Sequence, residues 1–153
     1  MRYRDGFTLI ELIVVVSIIA TLSSVAILVF GNTLKNNRDQ QRIRDLTAVK
    51  QALELYRNRM HYYPTSWNSL VPTFLGNLPT DPLNGRKYAY QVLPNTPYPC
   101  DNGATIPAVY CTGFLLCAAS EGNPSTYTLS GCSSLPANSC GSGVTCDIGL
   151  QTD

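Results

Sequence analysis

The sequence predicts an α+β protein: a long N-terminal helix packed against a small antiparallel sheet, followed by a disulfide-rich C-terminal region. Three observations lead there. No proline occurs between Met1 and Tyr63, although the chain holds 10 in all, so one uninterrupted helix is possible. Phe7 to Phe30 is almost wholly apolar, whereas from Ile43 to Met60 apolar residues recur every three or four positions. Beyond Pro64 the composition shifts to proline, glycine and serine with short alternating runs, and all 6 cysteines fall between Cys100 and Cys146. A chain of 153 residues has room for the helix and one small domain.

The apolar run follows a short polar leader, residues 1–6 (Met1-Arg2-Tyr3-Arg4-Asp5-Gly6), and contains one ionisable residue, Glu11. About 20 apolar residues cross a bilayer, so residues 7–30 are expected to form a single N-terminal span. An acidic residue at the centre of a membrane helix costs about 2.5 to 3.5 kcal/mol, and such residues mark functional sites by default. A secretory signal peptide has an apolar region of roughly 7–15 residues; this run is longer, and Glu11 lies where that region would begin. A plain one-pass anchor, with Glu11 reaching the interface, is the competing reading.

Gly31-Asn32-Thr33 is a soft spot, after which periodicity resumes. Ile43, Leu46, Val49, Leu53, Tyr56 and Met60 share one helical face. Arg42, Arg44, Lys50, Glu54 and Arg57 are expected mostly elsewhere. The helix should run from about Phe7 to about His61, roughly 80 Å at 1.5 Å per residue. Residues 31–62 form its amphipathic half, and 63–153 a globular head.

Pro64 ends the helix. Dense prolines to Pro82 exclude a long helix or a central strand, leaving one helical turn near Ser66–Leu70, capped by Thr65 or Ser66. Asn84-Gly85 signals a turn, and Tyr88 to Val92 alternates like a strand. Two further strands are expected: Ala108–Cys111 continuing through Phe114–Ala118, bent or broken at Gly113, and Ser125–Leu129. Tyr62, Tyr63, Trp67, Tyr88 and Tyr90 are expected mostly between helix and sheet, some facing a neighbouring subunit. Gly131 to Asp153 has little apolar periodicity and is expected to bury little surface.

Cys100, Cys111, Cys117, Cys132, Cys140 and Cys146 fit disulfides in an oxidising compartment. Six cysteines allow 15 connectivities, and the sequence does not choose among them. A zinc site lacks its usual spacing: no Cys-x-x-Cys occurs, and the single histidine, His61, is far away in sequence. A phosphate loop and a nucleophile elbow are also absent, so no enzyme and no cofactor is expected. A net charge of +1 with 14% charged residues gives no footprint for specific nucleic-acid binding. Asp81 and Asn84 are candidate calcium ligands by virtue of their oxygens, set against their ordinary use as turn residues.

Gly6-Phe7-Thr8-Leu9-Ile10-Glu11 resembles the N-terminus of type IV pilins and of type II secretion pseudopilins: a basic leader ending in glycine, then this pentapeptide, then an apolar helix. The resemblance implies the type IV pilin fold. It also implies a prepilin peptidase that cuts after Gly6 and methylates Phe7. Glu11 would pair with the N-terminal amine of a neighbouring subunit during assembly. Tyr63-Pro64, Leu78-Pro79-Thr80-Asp81-Pro82 and the alternating Tyr88 and Tyr90 resemble major pseudopilins further along. Leu83 stands where those usually have tryptophan, and the gap to the tyrosines is longer. Major pseudopilins use calcium in this general region. Many relatives carry a helix-bending glycine and proline where this chain has Ala20 and Leu28, so melting of the helix in a filament would fall at Ser23-Ser24 or Gly31.

The expectation is therefore a homo-oligomeric, helical type IV pilus-like filament subunit for adhesion, twitching motility or DNA uptake. Its partners would be the membrane, an assembly platform and an ATPase. The alternatives are a type II secretion pseudopilin and a membrane-anchored, disulfide-stapled binding module. The subunit would start in the inner membrane and end in an extracellular filament, or a periplasmic one if a pseudopilin. Lys35, Arg38, Arg42 and Arg44 after the span outnumber Arg2 and Arg4 before it, against the positive-inside rule. The cysteines and the motif put the head outside the cytosol.

Overall fold

The computed structural model describes residues 6–94, 100–104, 109–122 and 130–152, without the side chains of 25–29, 130 and 134. One helix, α1, runs unbroken from Leu9 to Met60. Thr8 caps it in a capping box with Glu11, and His61 ends it in the left-handed conformation at φ 69°, its N–H donating to the Arg57 carbonyl. Ser17, Thr21 and Ser24 donate their hydroxyls to carbonyls one turn back, which satisfies them without a tertiary partner. Among the described residues no helix is long and apolar enough to cross a membrane. The sequence from Phe7 to Phe30 is nonetheless almost wholly apolar.

Three strands follow, β1 (Ala89–Leu93), β2 (Gly113–Ala118) and β3 (Ile148–Gln151). They form an antiparallel sheet with β2 in the centre; Ala89 pairs with Cys117 and Leu93 with Gly113, while Leu115 pairs with Gln151 and Ala118 with Ile148. Both faces are covered. Phe114, Leu116 and Ala118 pack towards Leu46, Val49 and Leu53 of α1, with Tyr63, Leu70, Tyr88 and Ile148 around them. Leu115 and Cys117 face Cys132, Cys140 and Cys146 of the tail. Every residue of β2 is therefore buried, which explains its run of apolar residues without alternation. Burying each leucine of this core contributes about 1.5–3 kcal/mol.

A 3-10 turn spans Trp67–Leu70 with Ser66 as its cap, as expected. Trp67 stacks on Tyr90, their planes 3° apart, and the Tyr90 hydroxyl donates to the Pro64 carbonyl. Tyr63 is buried edge-on against Phe114. Met60 departs from the apolar stripe and is exposed.

Three expectations change. Arg42 does not face away from the head: its side chain is fully buried. Val109–Cys111 is not a strand, although the Cys111 carbonyl accepts from the Tyr63 N–H; Ala108 and the expected strand Ser125–Leu129 lie outside the described residues. The tail is not a poorly buried appendage. It supplies β3 and a second small core around its cysteines. Four strand residues are too few to show a period, and what holds them is pairing with β2. The disulfides are Cys100–Cys111, Cys117–Cys132 and Cys140–Cys146.

Candidate assembly surface

The apolar half of α1 stands clear of the head. Phe7 is 85% exposed and Leu9 75%, and the described side chains from Ile10 to Leu22 are exposed all round the helix. A helix apolar on every side is stable only when something apolar surrounds it. The one carboxylate here is held locally. Glu11 Oε2 accepts from the Thr8 N–H at 3.0 Å and from Thr8 Oγ1 at 2.8 Å, and Thr8 Oγ1 accepts from the Glu11 N–H at 3.3 Å. Oε1 has no hydrogen-bond partner among the described residues, so the cap leaves one carboxylate oxygen open beside Phe7. Gly6 lies in open space, where an added Cβ would meet nothing within 4 Å. The fold itself sets no steric demand for glycine there.

Where the helix enters the head it carries a second constellation. Arg42 Nε and Nη2 donate to the two oxygens of Asp81 at 2.7 and 2.8 Å. Arg42 Nη1 lies 2.7 Å from Asp39 and 2.9 Å from Glu121. Arg38 donates to both Glu121 oxygens, at 2.8 and 2.5 Å. Asp39 also accepts the N–H groups of Glu121 and Gly122 at 3.0 and 2.9 Å. Burial pushes the Arg42 pKa down, but hydrogen bonds to Asp81, Glu121 and Asp39 outweigh it and leave it above the ordinary value. The spacing Asp39, Arg42, Leu46, Val49, Leu53 could have revealed this, since all five lie on one helical face; the charge of Arg42 concealed it.

The Arg38 hydrogen bond, against an opposing contribution from burial and with help from Arg42, pulls the Glu121 carboxyl from the ordinary 4.5 to about 2. A depressed folded-state pKa stabilises the head above the unfolded value near pH 4.5, and that stability is lost as pH falls towards 2. Acid titration of the full chain should thus show stability falling across this window. The fall should be shallower in Glu121→Gln; the same pH profile in the variant would count against this assignment.

Asp81, a calcium candidate in the sequence, is engaged by Arg42 in this arrangement. Its side chain is fully buried, both oxygens accept from Arg42, and one accepts the Leu83 N–H as well. Asn84 is exposed in the turn before Gly85. No group of three or more His, Cys, Asp or Glu among the described residues is arranged to hold a metal. His61 is exposed at the helix end, away from any site.

The model of the prokaryotic N-terminal methylation motif matches residues 1–27. The type II secretion system core protein G of Escherichia coli is 33% identical over 136 residues, covering 82% of this chain and 90% of that protein. The chain belongs to the type II secretion core protein G family. The Vibrio cholerae core protein G is 35% identical over 101 residues, 64% of this chain and 68% of that protein. The Aeromonas hydrophila protein is 36% identical over 89 residues, 57% of this chain and 59% of that protein. No solved structure matches this chain. For a core protein G relative, the exposed apolar helix with a capped carboxylate at its head is the natural candidate for the surface between subunits.

Proposed function

We propose that the chain is a pseudopilin, the non-enzymatic subunit of a type II secretion filament. It is held in the inner membrane by residues 7–30 and assembled with its head in the periplasm. The observation that carries this reading is the match along most of both chains to a core protein G. Of the filament readings open from the sequence, the relatives favour secretion over an extracellular pilus for adhesion, motility or DNA uptake. An assembly platform and an ATPase are the partners this reading requires.

In this reading the leader is cut after Gly6 and the new amine on Phe7 is methylated. Glycine at position 6 then serves access of the peptidase to an extended chain, consistent with its open surroundings. The amine and Glu11 are each costly in hydrocarbon, and pairing between neighbouring subunits offsets part of both costs. Thr8 holds one oxygen of Glu11 and leaves Oε1 for the neighbour's amine. Moving α1 from lipid to a filament core exchanges one dry environment for another. Packing and this ion pair therefore set the register between subunits. Unlike faces repeat along a rotation that does not close, giving an open helical fibre.

Intact mass spectrometry of washed membranes and of the fibre fraction sheared from intact cells tests this. The expected membrane species lacks Met1–Gly6, carries one methyl group and is oxidised at all 6 cysteines. The same species confined to sheared extracellular fibres would favour a pilus instead. A chain still bearing its leader would leave the anchored binding module.

A further inference from the structure

Three carboxylates from three separate segments converge on one point: Asp39 on α1, Asp81 in the proline-rich loop and Glu121 beyond β2. Such a convergence of negative charge inside the fold calls for a cation. The point is filled by the chain itself. The Arg42 guanidinium is fully buried, and three of its nitrogens donate to the three carboxylates at 2.7 to 2.9 Å. Arg38 supplies the second positive charge on Glu121.

We propose that Arg42 is the cation that locks the head of this protein onto its helix, and that the lock needs no divalent ion. The donor inventory supports this. Asp81 spends both oxygens on the guanidinium fork, and Asp39 spends both on Arg42 and on the successive N–H groups of Glu121 and Gly122. A metal could bind these carboxylates only by displacing a planar, permanently charged group that already matches their geometry. The same cluster fixes the turn at 119–122, whose Ala119 and Ser120 carbonyls accept from Arg86 at 2.9 Å each and whose Ser120 N–H donates to Asp147 at 2.7 Å. Helix, proline-rich loop and turn are thus joined through one side chain. The cluster lies where the helix enters the head, so its role is the same whichever filament the subunit builds.

The test is thermal unfolding of the full-length oxidised chain in detergent micelles, followed by Trp67 fluorescence, with millimolar calcium or with excess EDTA. The wild-type midpoint should be the same in both. A fall of several degrees in EDTA would overturn the proposal without any variant having to fold. Arg42→Ala should lower the midpoint by roughly 10 °C, as expected when one partner of a buried ion pair is removed from a chain of this size. In that variant calcium should restore part of the loss, because the three carboxylates then face each other with no cation between them. An unchanged midpoint, or no recovery with calcium, would count against the guanidinium as the equivalent of a bound cation. Arg42→Lys keeps the charge without the fork and should fall in between; a wild-type midpoint there would deny the fork its role.

Discussion

Replacing Glu11 by alanine should abolish filament assembly, by more than about tenfold in yield, while membrane insertion survives or improves. A tenfold change needs only about 1.4 kcal/mol, and a carboxylate–amine pair in a dry interface exceeds that when one partner is lost. Alanine also removes half of the capping box, since Glu11 accepts from the Thr8 N–H and hydroxyl. Glu11→Gln separates the two effects. Glutamine completes a capping box as glutamate does but offers no charge to a neighbour's amine. Assembly should therefore fail in both variants, while helix content, read by circular dichroism, should stay unchanged in Glu11→Gln. Wild-type fibre yield from Glu11→Gln would end the pairing account and leave Glu11 as a cap only.

The second large effect concerns the tail. Removing the Cys117–Cys132 bridge by paired alanine substitutions should destabilise the head by about 2–4 kcal/mol, a fall in unfolding midpoint on the order of 10 °C for a chain this long. The bridge ties the C-terminal end of β2 to the 3-10 turn at Ser130–Ser134, and both of its cysteines are buried. Cys140–Cys146 closes a shorter loop, with a sequence separation of 6 against 15, and should matter less. Scanning calorimetry of each pair checks the order. Equal midpoints for the wild type and the Cys117/Cys132 pair would mean that β3 and the tail core hold without the staple.

Much of the architecture was legible because local rules and tertiary packing agree. Proline spacing bounded α1, although its N-terminal cap, Thr8 with Glu11, emerged only from the structure. The period from Leu46 to Leu53 named its buried face, and Tyr88 to Val92 announced β1 to within one residue. Where they disagreed, the sequence misled. Arg42 occupies a core position of the helix, but a charged residue is read as outward-facing unless its partners are known. Those partners, Asp81 and Glu121, lie 39 and 79 positions away in the chain. β3 failed for another reason: Ile148-Gly149-Leu150-Gln151 is too short to carry a period, and its burial comes from an edge that β2 offers and α1 covers.

The candidate assembly residues divide in the same way. Sequence alone determined that Gly6, Phe7 and Glu11 stand at the head of an apolar helix, because each is defined by its neighbours along the chain. It also determined that the cysteines lie in one segment, but not how they pair, since pairing depends on which strands bring their Cα atoms within reach. Only the tertiary structure decided that a basic residue of the helix, three carboxylates and the turn after β2 form one closed cluster. Contacts at long sequence separation depend on how segments meet in space, and no local pattern records them.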